Sequence, residues 1–165
     1  MLPSIMSVAD AAATLYNFTV DEHTYKETFA CVRQTKEVDF LQVHSELILL
    51  TVVVVDVVLR SERIHKIHGQ KADEIFPAYL NCFKEQTTVA GADRAFLAVL
   101  NDRGAAYNEI LENADGSSEL LLLDLTTAIA KNCGGSSGEF HLAVLREFGL
   151  LMETVGKFLE TVHLN

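Results

Sequence analysis

The chain has 165 residues, a formal net charge of -10, and 49% hydrophobic against 22% charged residues. That length suits a single domain, residues 1–165, with a core that needs no disulfide or metal, and the balance excludes a disordered chain. With 13 basic residues against 23 acidic ones, there is little material for displacing counterions from phosphates, so neither nucleic acid nor an anionic membrane surface is an expected partner.

Cys31, Cys82 and Cys133 are scattered without a paired spacing, which suits buried thiols in a reducing compartment. No secretory pattern is legible at the start, where Asp10 interrupts the apolar stretch and Lys26 is the first basic residue. The expected location is cytoplasmic.

In chain order, Ser4 to Tyr16 reads as a first helix. Thr19 with Glu22 three residues on resembles a capping box, opening a second helix that runs to about Lys36. The longest helix is expected from about Val38 to His68, with Phe40, Val43, Leu47, Leu50, Val54, Val57 and Ile64 on one face. Its β-branched stretch Thr51 to Leu59 has a rival reading as a buried strand. Helical flanks, missing turn residues and the lack of a partner strand favour the helix. The apolar run Leu47 to Leu59 contains Asp56 and falls short of the roughly 20 residues that a membrane span needs. A carboxylate buried there must be paired or neutral, and an arginine or hydroxyl partner is the preferred account of Asp56.

Ala72 to Gln86 is predicted helical with Pro77 in or near the first turn, because a proline placed deeper would kink it. Phe96, Leu97, Leu100, Tyr107, Ile110 and Leu111 give an amphipathic helix from about Ala92 to Asn113. Glu119 to Asn132 is apolar nearly all round, preceded by the breaker Asp115-Gly116-Ser117-Ser118 and stopped by Gly134-Gly135. The last helix starts near Ser137, where Ser136 and Glu139 resemble a capping box. Val144, Phe148, Leu151, Val155, Phe158 and Val162 form its stripe, flanked by Leu145, Met152 and Leu159. The fold class is therefore all-α: a single-domain bundle of six to seven helices around a long, strongly apolar central helix.

Three constellations carry possible chemistry. The segment Ile64-His65-Lys66-Ile67-His68-Gly69 resembles the motif of histidine phosphotransfer domains, which are four-helix bundles with a phosphorylated His in a pattern close to His-x-Leu-Lys-Gly. His65, Ile67 and Gly69 match it over about five residues. His68 stands where the family has a Lys, and Gln70 and Lys71 replace the small residues after the Gly. The resemblance implies His65 as phosphoacceptor with Lys66 or His68 balancing the phosphoryl charge. A helix end explains the same residues, since His and Lys favour the C-terminal dipole and Gly69 the C-cap. That plainer account is preferred.

The second constellation is a repeated Glu-x-x-His, Glu62–His65 and Glu160–His163, the pairing that di-metal carboxylate bundles use when every ligand points into the core. Here Glu160 and His163 share a stripe with Glu153, off the apolar seam, and a solvent-facing position is preferred. The third is the turn Gly134 to Gly138, whose glycines could expose amides to an anion but which lacks a following Lys. A connector is the preferred reading. No cofactor pattern is present, and the absence of His between Gly69 and Phe140 excludes a haem globin.

Among functions, a non-enzymatic helical interaction or regulatory domain is expected. Its partner would be another protein or a second copy, because the last helix has more apolar width than one seam requires. A phosphotransfer module and a di-metal bundle are the alternatives.

Overall fold

A computed structural model describes residues 4–35, 38–90, 98, 102–107, 109–110, 118–134 and 138–165. Its first ordered turn is set by Ser7, not Ser4. The Ser7 hydroxyl accepts the Asp10 amide at 3.1 Å, and the Asp10 carboxylate accepts the Ser7 amide in return, a capping box with Asp in place of Glu. Residues Ser4–Met6 ahead of it form a short strand, β1, and helix α1 runs Val8–Val20. The expected Thr19–Glu22 box does not form, because Thr19 is buried inside α1. Asp21 takes the capping role: it ends α1 and accepts the His23 amide at 3.0 Å, opening a 3-10 turn Glu22–Tyr25 that leads into α2, Lys26–Thr35.

The expected continuous helix from Val38 to His68 is two helices. Asp39 caps α3, Phe40–Arg60, and at Ser61 the backbone turns to φ −65°, ψ 140° before α4, Glu62–His68. Ser61 serves both ends: its hydroxyl donates to the Val58 carbonyl at 2.6 Å and accepts the Ile64 amide at 3.4 Å. A side chain that satisfies the last carbonyl of one helix and the first amide of the next makes the break stable. Thr51–Leu59 is helical throughout and buried except for half-buried Val57, so the strand alternative is excluded.

Gly69, at φ +59°, ends α4, and α5 runs Lys71–Ala90 with Pro77 well inside it rather than in its first turn. Residues 98, 102–107 and 109–110 are helical; the rest of the helix expected over 92–113 lies outside the described residues, as do Ser136 and Ser137. Helix α6 spans Ser118–Asn132, Gly134 at φ +73° follows it, and α7 spans Gly138–Thr161. The chain then forms strand β2, Val162–Leu164, which pairs in parallel with β1 in the register Ser4 with Val162, Ile5 with His163 and Met6 with Leu164.

The architecture is an all-α bundle with α3 at its centre. By length and composition α3 would also suit a membrane crossing, but thirteen of its 21 residues are buried inside the fold. Helices α1, α5, α6 and α7 all pack on it, and α1 lies along α5. The α1 face that meets α5 carries Ala11, Ala12, Leu15 and Thr19, spaced at helical turns. Four buried hydroxyls tie these layers together. Tyr79 on α5 meets Thr19 at 2.8 Å, and Tyr25 donates to the Thr19 carbonyl at 2.6 Å and meets Thr51 on α3 at 2.8 Å. Burial raises both tyrosine pKa values, so each stays a neutral donor.

Candidate functional site

The segment singled out in the sequence, α4, is a one-end helix of seven residues with Gly69 as its cap: the Gly69 amide donates to the His65 carbonyl at 2.9 Å. His65 therefore lies in the final turn, half-buried, with its Nε2 3.5 Å from the Asp73 carboxylate. His68 turns inward, and its Nε2 donates to the Leu159 carbonyl on α7 at 2.6 Å; a carbonyl can only accept, so that nitrogen carries the proton. Lys66 reaches back to Glu62 at 2.7 Å. One imidazole anchors α4 to its neighbour, and the nearest cation is already paired.

Nor does the fold gather the four residues of the Glu-x-x-His pairs. Glu62 is exposed on Lys66, and Glu160 holds Arg63 at 2.7 Å. The spacing Glu160–His163 would share a helix face only if α7 continued, but the helix ends at Thr161 and His163 sits exposed on β2. Among the described residues, no group of three or more His, Cys, Asp or Glu is arranged to hold a metal ion. Asp56 is paired with Arg60 one turn on, at 2.9 Å to Nε and 2.8 Å to Nη2. The basic trio Arg60, Arg63 and Lys66 is thus ion-paired at every member.

Two buried carboxylates on core stripes escaped the sequence reading. Glu46 on α3 is fully buried, ion-paired with Arg103 and accepting the Tyr107 hydroxyl, which also receives the Asn132 side-chain amide at 2.8 Å. Glu147 on α7 accepts the Thr28 hydroxyl of α2 at 2.7 Å. Burial raises its pKa, with Glu27 adding to the rise and the Thr28 bond opposing it. Beside it lies a cavity of about 300 Å³ bordered by Glu27, Cys31, Glu139 and Arg146. Burial also raises the Cys31 and Cys82 thiols and pushes Cys133 up to about 12, so none is a ready thiolate nucleophile at neutral pH. A legible signal existed for both carboxylates: each is three residues after one core residue and four before another, Val43 and Leu50 for Glu46, Val144 and Leu151 for Glu147. Their partners are distant in sequence and left none.

The clearest open feature is on α7. Leu142 and Leu145 are exposed at 55% and 36%, and with Gly149, Met152 and Gly156 they follow the alternating three–four spacing of one helix face. Toward its C-terminal half this stripe runs into a groove of about 350 Å³, with Val57, Val58 and Ile64 on one wall and Met152 and Gly156 on the other. The groove exists because the chain breaks at Ser61 beside a helix that presents no side chain at Gly156: a Cβ built there meets nothing within 4 Å, and the same holds at Gly149. Its rim is charged, with Arg63 on Glu160 and Lys157 on Glu153. Apolar floor with polar rim is the anatomy of a protein-docking surface. No protein family matches this chain, and neither a curated protein nor a solved structure is significantly similar to it.

Proposed function

We propose that the chain is a non-enzymatic helical interaction or regulatory domain that works through the outer face of α7 and the groove beside it. The observation that carries this reading is the stripe Leu142–Leu145–Gly149–Met152–Gly156 entering an apolar groove between ion-paired rims. Its partner is a protein surface with apolar knobs at helical spacing. The pairing of Arg60, Arg63 and Lys66 with carboxylates supports the view that neither nucleic acid nor anionic lipid is the ligand, since phosphate binding needs uncommitted cations. The thiols are held protonated and His65 sits at a helix end, so among the described residues these groups lend an enzymatic alternative no support. A cytoplasmic setting fits the free cysteines.

The test is site-specific photo-crosslinking in cells that produce the full chain. A benzophenone amino acid in place of Met152 should give discrete protein adducts, identified by mass spectrometry. The same group in place of Ala13, on the exposed side of α1, should give none. Equal yields at the two positions, or no adduct at Met152, would reject the reading.

A further inference from the structure

The stripe on α7 has a feature that selects its occupant: it is complementary to itself when reversed. Read as a heptad seam, Leu142, Leu145, Gly149, Met152 and Gly156 occupy the two inward positions. If two such helices run antiparallel about a two-fold axis near residues 150 and 151, Leu145 of one lies opposite Gly156 of the other, and Met152 lies opposite Gly149. Leu145 and Met152 each meet a glycine, in both copies, as an isologous interface requires, while Leu142 lies opposite position 159, whose leucine is buried in its own core. Leu142 and Leu145 of each chain then lie over the groove walled by Val57, Val58 and Ile64 of the other. A parallel pair would instead set Gly149 against Gly149 and leave a void.

Charge selects the same orientation. Glu139, Arg146, Glu153 and Glu160 follow one edge of the stripe at seven-residue spacing, while the opposite edge, Phe148 and Val155, faces the chain's own core. Only antiparallel helices bring like edges together, and in this register Arg146 of each copy meets Glu153 of the other. Arg146 is exposed and has no ion pair among the described residues. Glu139 would face Glu160, but Glu160 already holds Arg63, and Lys157 lies one turn from the contact.

We infer that the partner of this face is a second copy of the chain, docked through antiparallel α7 helices as a two-fold dimer. The inference rests on the interaction reading above and names its partner. It is tested on the full chain by sedimentation equilibrium, with circular dichroism to confirm that each variant is folded. The wild type should reach twice the monomer mass at concentrations up to about 100 µM, within the range of weak self-association. Arg146→Glu and Glu153→Arg should each weaken the dimer at least tenfold, because each sets like charges together twice. The double variant Arg146→Glu/Glu153→Arg should restore affinity to near wild type, which only an antiparallel 146–153 pairing predicts. Gly156→Leu should weaken the dimer while keeping the helix content. A wild type that stays monomeric, or a double variant no better than the singles, overturns the inference. If in that case the Met152 crosslinker still captures a different protein, the dimer falls and the interaction reading stands; if it captures none, both fall.

Discussion

The buried hydroxyls between α1 and α5 permit a prediction whose sign pattern follows from counting protons. Thr19 has one hydroxyl hydrogen, and it goes to the Leu15 carbonyl at 2.7 Å. In its 2.8 Å contact with Tyr79, Thr19 must therefore accept and Tyr79 must donate. Both side chains are fully buried, so no water replaces either group. Thr19→Val keeps the shape but leaves the Tyr79 donor without an acceptor, a cost of about 2 kcal/mol. The Leu15 carbonyl keeps its helical bond and adds nothing to that cost. Tyr79→Phe removes the donor and leaves no orphan, because Thr19 still donates to Leu15, so the loss is only about 1 kcal/mol. The double variant has no orphan either and should cost about 1 kcal/mol, well below the sum of the singles. Urea unfolding followed by the helical circular dichroism signal, with an unchanged denaturant slope, reads all three. Tyr79→Phe as costly as Thr19→Val, or strict additivity, would refute the assigned direction of the bond.

Two further outcomes follow from single residues. Pro77 is exposed on the interior of α5, where it supplies no amide to the Asp73 carbonyl; Pro77→Ala should raise stability by about 2 kcal/mol, and an unchanged or lower urea midpoint would refute this. Glu147 has its pKa raised by burial. A carboxyl raised on folding stabilises the fold while protonated, fully so below the ordinary glutamate pKa, and that contribution is lost as pH rises through the folded value. Glu147→Gln still accepts from Thr28 but escapes the loss, beside Glu27, Glu139, Cys31 and Arg146, which border the same cavity. Its melting temperature should match the wild type in mild acid and exceed it increasingly toward neutrality. Parallel curves would sink the argument.

What the sequence made legible was whatever depends on periodicity. The apolar spacing of α7 and the all-apolar run of α3 specify helices because burial of one face, or of all faces, is a local pattern. The break at Ser61 was harder to see, since the core positions Val57 and Ile64 keep helical spacing across it. Its trace was a Ser followed by a Glu, an N-cap signal inside a longer pattern. The strands at the two ends were illegible for a different reason. Two three-residue segments near the ends of the chain gain their strand pairing from each other, across 158 residues of register between Ser4 and Val162, and no window of sequence contains both. Glu46 and Glu147 fall between these cases: their placement on core stripes is periodic, whereas Arg103 and Thr28, which make that placement tolerable, are contacts of the finished fold.

The glycines of α7 carry this reasoning to the function. A glycine inside a helix costs about 1 kcal/mol relative to alanine, so Gly149 and Gly156 together forgo about 2 kcal/mol. At Gly69 and Gly134 the positive φ accounts for the residue. At Gly149 and Gly156 it does not, because neither has a positive φ and a Cβ at either would meet nothing within 4 Å. Among the described residues of one chain, then, no turn and no close neighbour calls for a glycine at these positions. They sit on the same stripe as Leu142 and Leu145, at the spacing that reversal of the helix maps onto Leu145 and Met152. A notch that the monomer does not use, set one helix reversal away from a knob that the monomer does not bury, is accounted for by an interface in which each supplies what the other lacks.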